Sequence, residues 1–212
     1  MKLLGSVNNA IKLLIFSSVT VNMADGVWSP VFAIYVTQKI APGNLSAVGY
    51  AIAIYWLVKS ILQLPLARFL DKTDGERDDY IALIIGGVIY VIAPLLYFFV
   101  DHLWQLFVLQ AVYAVAGSLY VVPWSSIFTR HVDKFRIGFE WSLNSSALGF
   151  GLMISTAVGG YIAQNLGFGV IFLISSSLNL MGLIGMLLLK KHITQRNRLE
   201  KAFPEQHHRH SK

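Results

Sequence analysis

LPLARFLDKTDGERDDY, Leu64–Tyr80, decides the fold of this 212-residue chain. Between Arg68 and Asp79 it holds eight charged residues, and a long apolar run lies on each side of it. A segment this polar cannot cross a hydrocarbon layer, because charges and unpaired backbone groups in lipid cost several kcal/mol each. The stretch therefore predicts a short loop at a membrane surface that joins two membrane-spanning helices.

The composition also indicates an integral membrane protein. Charged residues make up 13% of the chain, about half their share in ordinary soluble domains, and 55% is apolar. There is no cysteine, which excludes disulfides and thiolate metal sites. The net charge of +6 needs no nucleic-acid partner, because the basic residues lie beside the apolar runs and in the tail. No phosphate loop, nucleophile elbow or zinc-helix motif occurs, so we expect no cofactor, no metal and no enzyme activity.

Six apolar segments are each long enough to cross a hydrocarbon core of about 30 Å at about 1.5 Å per residue. They are Ala10–Val36, Ser46–Leu66, Tyr80–Val100, Leu103–Phe128, Trp141–Gln164 and Gly167–Leu189. Residues 1–190 are therefore predicted to form one six-helix domain, and residues 191–212 a polar, basic tail.

The basic residues are divided unevenly between the two sides of the membrane. The links after the first, third and fifth spans contain one lysine and no arginine. The opposite side collects Lys2, Lys12, Arg68, Lys72, Arg77, Arg130, Lys134, Arg136 and the basic tail. Because cytoplasmic loops carry an excess of Lys and Arg, both termini are predicted to be cytoplasmic, with the chain in a plasma or inner membrane.

Polar residues within the spans follow helical spacing. The first span carries Ser18, Asn22, Asp25 and Ser29 at spacings of 4, 3 and 4, which is one helix face. Similar stripes occur on the second and fourth spans: Tyr55, Lys59 and Gln63, then Gln110, Tyr113, Gly117, Tyr120 and Trp124. The third span is almost wholly apolar. We expect the first and fourth helices to line a cavity and the third to face lipid.

Asp25 and Lys59 are the two charges deepest in the membrane. They lie about 11 and 13 residues from the external ends of their spans, or roughly 17 and 20 Å. A charge at this depth is costly unless it is paired or hydrated, so both residues are functional candidates, and their matching depths predict an ion pair. The alternatives are a packing hydrogen bond for Asp25 and snorkelling to the surface for Lys59.

We predict a substrate and coupling site made of Asp25, Asn22, Lys59, Gln63, Gln110, Tyr113, Tyr120 and Trp124. Aromatic residues near span ends, such as Tyr97 and Trp141, need only anchor the helices at the interface.

The charged loop also resembles the cytoplasmic signature between the second and third helices of the major facilitator superfamily. That signature is a small residue, three more, Asp, a basic residue, and a turn Gly followed by Arg or Lys. Its places are filled here by Ala67, Asp71, Lys72, Gly75 and Arg77. Ala67 replaces the usual Gly, and one extra residue precedes Gly75. The resemblance implies a cytoplasmic gate in which Asp71 pairs with basic groups, Arg130 and Arg136 being the nearest candidates; the alternative is a solvated loop.

The fifth span carries a small-residue ridge of Gly151, Ser155 and Gly159, with Gly160 beside it. Such a ridge lets two helix backbones approach closely, and we expect it to pack helices and to form a dimer interface. The stretch from Gly149 to Phe172 again resembles the superfamily. However, Ser155 and Thr156 occupy the place of the Gly-Pro pair of its antiporters, and the fourth span lacks the Arg often found there in proton-coupled members. Antiport is therefore not inferred.

The resemblance covers nearly the whole chain but only half of the family fold, whose members usually have twelve spans. It implies an all-α bundle of six transmembrane helices, built as two inverted three-helix repeats. The implied function is secondary transport of a small solute by alternating access, with a parallel twofold homodimer of half-size chains. The alternatives are a non-transporting membrane scaffold and one half of a complex with another six-span chain.

Overall fold

The structure, a computed structural model, describes residues 7–72 and 76–202, without the side chains of 192 and 194–202. Its helices are α1 (Asn9–Tyr35, continued by a π-helical turn, Val36–Ile40), α2 (Leu45–Leu70), α3 (Arg77–Leu96, followed by a 3₁₀ turn, Tyr97–Phe99), α4 (Leu103–His131), α5 (Ile137–Leu166) and α6 (Phe168–Ala202). All six are long and apolar enough to cross a membrane. The predicted six-span, all-α bundle is confirmed.

The helix boundaries follow local sequence signals. Asn8 and Asn44 begin α1 and α2, because their side-chain oxygens accept hydrogen bonds from the N–H groups of Ala10 and Ala47. Gly167 has a φ of 82° and turns the chain between α5 and α6, a conformation that only glycine adopts without strain. The last apolar span covers Phe168–Lys191, close to the predicted one, and α6 continues as a helix through the first part of the predicted tail to Ala202.

The two halves of the bundle pack in equivalent ways. α1 packs along α5 and α6, α4 packs along α2 and α3, and α3 contacts α6. Exchanging α1, α2 and α3 with α4, α5 and α6 leaves this pattern unchanged, which is the relation expected of the predicted inverted repeats. α1 and α4 are therefore the two central helices.

The remaining helices differ in how much of their surface is covered. Within an apolar segment of 18 residues in each helix, only 17% of the residues of α2 and of α5 are buried, against 56% in α1 and α4 and 44% in α3. α3 exposes a purely aliphatic stripe of Ile81, Ile85, Val88 and Ile92, which suits contact with lipid. The two least covered helices, however, are α2 and α5 rather than α3.

The small-residue ridge of α5 lies against α1 of the same chain. Gly151, Ser155 and Gly159 are all buried. A Cβ atom on Gly159 would overlap the backbone carbonyl of Val27, and one on Gly26 of α1 would overlap the Ser155 hydroxyl. This corrects the expected dimer contact, because a ridge covered within its own chain is not available to a second copy. Gly160 points the other way, into open space.

Candidate functional site

A cavity of about 380 Å³ lies between α1, α2 and α4, next to the end of α3. It exists because α1 packs on α5 and α6 whereas α2 packs on α4, so that α1 and α2 contact each other little. Its volume lies within the usual range for small-molecule sites. The cavity is lined by Asp25, Trp28, Ser29, Phe32, Ile52, Tyr55, Trp56, Lys59, Tyr97, Gln110 and Tyr113.

Asp25 supplies the negative charge of the cavity. One of its carboxylate oxygens accepts a hydrogen bond from the Tyr113 hydroxyl at 2.9 Å, and this bond joins α1 to α4. Hydrogen bonds to an ionised group are among the strong ones, so Tyr113 fixes the orientation of the carboxylate. The side chain is half-buried, and the cavity leaves part of it accessible to a solute.

Lys59 supplies the positive charge from the opposite wall, on α2. Its Nζ lies 3.3 Å from the Tyr55 hydroxyl, and 5.4 and 4.9 Å from the ring centroids of Tyr55 and Trp56. Both distances are within the range of cation–π attraction, which is strongest for a cation withdrawn from water. The ammonium group is thus held by two aromatic residues of its own helix.

Asp25 and Lys59 form no direct ion pair in the part of the chain that the structure describes. This corrects the pairing predicted from their equal depths. The reason is geometric: the two residues lie on helices that diverge around the cavity, and each bonds to a tyrosine instead. Two opposite charges therefore line one cavity without neutralising each other by contact.

Gly117 makes room for the side chains that hold Lys59. A Cβ atom at this position would lie 3.0 Å from the Tyr90 hydroxyl, 3.1 Å from the Tyr55 hydroxyl and 3.7 Å from Cε of Lys59. The first two distances are tighter than ordinary packing contacts. The spacing of the polar stripe on the fourth span includes Gly117, and the structure shows that the missing side chain brings α2 and its lysine close to α4.

An aromatic cluster forms one wall of the cavity. Trp28 contacts the rings of Phe32, Tyr35, Tyr97 and Phe172, with centroid distances of 4.8 to 5.4 Å. Each such pair contributes about 0.5–1.5 kcal/mol beyond its buried area. The Tyr35 hydroxyl also donates to the backbone carbonyl of Tyr97 at 2.9 Å. The cluster thus joins α1, the end of α3 and α6.

Four of the eight predicted site residues line the cavity: Asp25, Lys59, Gln110 and Tyr113. The other four lie elsewhere. Trp124 is buried and donates from Nε1 to the Leu14 carbonyl at 3.1 Å, and Asn22 donates to the Ser18 carbonyl of its own helix at 2.8 Å. Tyr120 is buried, and Gln63 is half-buried one turn beyond Lys59.

Five residues that line the cavity were not predicted from the sequence to do so: Trp28, Phe32, Ile52, Trp56 and Tyr97. A polar stripe does not detect them because they are apolar or aromatic. Trp28 and Phe32 nevertheless lie 3 and 7 residues after Asp25, on the same helix face, which is the signal that would have found them. Tyr97 is 3% exposed, so it is a buried wall residue rather than the expected interfacial anchor.

A second group of charged residues joins the start of α3 to the end of α4. Arg130 forms an ion pair with Asp79 at 2.6 Å, and the Ser126 hydroxyl donates to the same Asp79 oxygen at 3.2 Å. Glu76 and His131 approach within 3.4 Å beside them. Acidic groups at a helix N-terminus and basic groups at a C-terminus also interact favourably with the two helix dipoles.

The predicted gate residues are arranged differently from the expectation. Asp71 follows the last residue of α2 and is exposed, and it makes no ion pair with Arg130 or Arg136 among residues 7–72 and 76–202. Arg130 pairs with Asp79 in this structure, and the pairing of Asp71 with basic groups in a closed cytoplasmic gate stays a prediction. Arg136 precedes the first residue of α5. Of the other signature residues, Ala67 is half-buried, Lys72 and Arg77 are exposed, and Gly75 lies outside the described residues.

The chain is similar to known proteins both in sequence and in fold. The model of the Major Facilitator Superfamily matches residues 14–210. The chain is 26% identical over 166 residues to Multidrug resistance protein MdtG of Dickeya zeae (strain Ech586), a match that covers 77% of this chain and 40% of that protein. The solved POT family transporter PepTSo superposes with a TM-score of 0.72 at 14% identity, over 86% of this chain and 37% of that one, which shows likeness of fold alone. The chain thus spans about two fifths of the length of these proteins.

Proposed function

The chain belongs to the major facilitator superfamily, and on that premise we propose that it carries a small solute by secondary active, alternating-access transport as a homodimer. Family membership and the transporters among its relatives support membrane transport of a solute. The observation that carries the proposal is the cavity with Asp25 and Lys59, since ionisable side chains within a membrane span mark solute or ion pathways. A scaffold has no need of such a cavity.

The homodimer proposal rests on the uncovered faces of α2 and α5. Large apolar side chains are exposed on both helices, for example Leu57 at 60% and Phe150 at 66%. The two six-helix halves of this fold are related by an axis along the membrane normal, so two parallel copies reproduce the arrangement. We propose that α2 of one copy packs against α5 of the other, twice around a closed twofold axis, and covers the open side of the cavity.

Disulfide crosslinking in native membranes tests this interface, because the chain contains no cysteine of its own. Leu57 lies 13 residues before the end of α2 and Phe150 lies 13 residues after the start of α5, so the two positions lie at the same depth. Leu57→Cys combined with Phe150→Cys should give a covalent dimer on oxidation. Val88→Cys on the aliphatic stripe of α3, combined with Phe150→Cys, is the matched control and should not.

A monomer in lipid nanodiscs, or equal crosslinking of test and control pairs, would contradict the homodimer. A complex with a different six-span chain would then be the remaining form of the proposal, and absence of any partner would favour a scaffold.

We further propose that both termini face the cytoplasm, on the basis of the uneven distribution of basic residues. Single cysteines at the exposed positions Asn44 and Lys72, on opposite ends of α2, report the orientation. An impermeant thiol reagent applied to intact cells should label Asn44→Cys and leave Lys72→Cys unlabelled. The reverse pattern would invert the proposed topology.

A further inference from the structure

We infer that the cavity binds a small amphoteric solute, with one cationic group at Asp25, one anionic group at Lys59, and an aromatic body packed on the wall that Trp28 contributes to. The inference rests on the proposed transport function and specifies its substrate class. It starts from the geometry of the two charges, which line the same cavity from α1 and α2 without contacting each other.

The charges select against solutes that carry only one charge. A cationic solute that displaced water from the cavity would pair with Asp25 and leave the ammonium of Lys59 without a counter-charge. An anionic solute would pair with Lys59 and leave the carboxylate of Asp25 in the same position. Because an uncompensated charge withdrawn from water is costly, only a solute that bears both signs leaves neither protein group unpaired.

The anchoring of the two side chains leaves them able to bind such a solute. Asp25 is oriented by one tyrosine hydroxyl, Tyr113, and is still partly accessible. Lys59 uses one donor toward the Tyr55 hydroxyl, while an ammonium group has three. Neither group is satisfied by the other, so each retains capacity for a ligand.

The walls select for an aromatic body. Six of the eleven lining residues are aromatic, and three of these, Trp28, Phe32 and Tyr97, belong to the aromatic cluster rather than to the Lys59 anchor. Rings pack on such a wall edge-on or offset, with about 0.5–1.5 kcal/mol per pair beyond the area that they bury. Trp28 lies on the same face of α1 as Asp25. A solute whose ring packs on Trp28 therefore has its amino group near the Asp25 carboxylate.

Three probes with the same phenyl ring and two-carbon chain separate the charges: phenylalanine carries both, phenethylamine only the cation, and 3-phenylpropionate only the anion. Binding to the full chain in lipid nanodiscs at neutral pH is measured by calorimetry. We expect phenylalanine to bind at least about tenfold more tightly than either single-charge probe, because each probe with one charge leaves one charged protein group in the cavity unpaired.

Variants assign each charge to its residue. Asp25→Asn should weaken the binding of phenylalanine and phenethylamine and strengthen that of 3-phenylpropionate relative to both. Lys59→Gln should weaken the binding of phenylalanine and 3-phenylpropionate and strengthen that of phenethylamine relative to both. Asp25→Glu and Lys59→Arg keep the charges and should keep the wild-type order, which guards against a folding defect. Asp101→Asn and Lys39→Gln, at exposed positions outside the cavity, are the matched controls.

Binding of a single-charge probe as tight as that of phenylalanine would overturn the inference. An equal change in affinity for all three probes in both charge variants would also overturn it. The same holds if phenylalanine does not bind at millimolar concentration. Failure of the crosslinking test with the probe order intact would remove the homodimer and leave the cavity chemistry standing. Transport by a chain whose probe affinities do not depend on charge would remove the inference about the solute and leave the proposed transport function standing.

Discussion

The contact between α1 and α5 yields the sharpest stability prediction, through Gly159→Ala. The new Cβ would overlap the backbone carbonyl of Val27, which cannot rotate away as a flexible side chain would, so the two helices must separate. Forcing a methyl group into a close-packed contact costs about 1–3 kcal/mol. The neighbouring substitution Gly160→Ala places its Cβ in open space, with no atom within 4 Å.

The two substitutions form a matched pair on one helix. Both gain the same helix propensity, about 1 kcal/mol for Ala over Gly, so this contribution cancels in their difference. The free energy of unfolding of Gly159→Ala should therefore be lower than that of Gly160→Ala by about 1–3 kcal/mol. Reversible unfolding in mixed detergent micelles, followed by far-UV circular dichroism, measures the difference.

Equal unfolding free energies for the pair would refute the packing of α5 on α1 at this position. A lower free energy of unfolding for Gly160→Ala than for Gly159→Ala would instead indicate that the exposed face of α5 makes a contact that is absent from the single chain.

Two further outcomes follow from the described contacts. Asp79→Asn and Arg130→Gln, alone and together, should give a coupling energy of about 0.5–3 kcal/mol in a double-mutant cycle of unfolding, whereas additive losses would show that the ion pair does not stabilise the fold. Gly117→Ala should weaken phenylalanine binding by about fivefold or more, because strain of about 1–3 kcal/mol displaces Tyr55, while Gly149→Ala, in open space, should leave binding unchanged.

The spans and their order could be predicted from the sequence because hydropathy and length act along the chain. A charged stretch such as Leu64–Tyr80 between two apolar runs admits one arrangement in a membrane, whatever the helices contact. The end of α6 was less predictable, since a helix that leaves the bilayer loses its hydropathy signal while its backbone hydrogen bonds continue to Ala202.

The partners of each helix face could not be predicted in the same way. Spacing shows that Gly151, Ser155 and Gly159 share a face, but it does not show whether α1 or a second chain covers that face. The sequence likewise predicts that Asp25 and Lys59 lie at the same depth in the membrane, but it does not show that α1 and α2 contact each other little and so keep the two side chains apart. Such relations arise only when helices pack in three dimensions.

The aromatic half of the cavity was missed for a related reason. Trp28, Phe32 and Tyr97 are as apolar as residues that face lipid, so composition does not separate a cavity wall from a lipid-facing surface. Asp79 gave no stronger signal than Asp78 beside it, yet only Asp79 is turned inward to Arg130, with 2% of its side chain exposed.

Access to Ser29 tests the alternating-access mechanism most directly. Ser29 lines the cavity and is exposed, and the cysteine-free chain gives Ser29→Cys no background. Ser175→Cys, at a buried position where the serine donates to the Ala24 carbonyl, is the control that should stay unreactive. An impermeant thiol reagent applied to right-side-out and to inverted vesicles should modify Ser29→Cys from both faces. Modification from one face only, or from neither, would contradict a cavity that opens to each side of the membrane in turn.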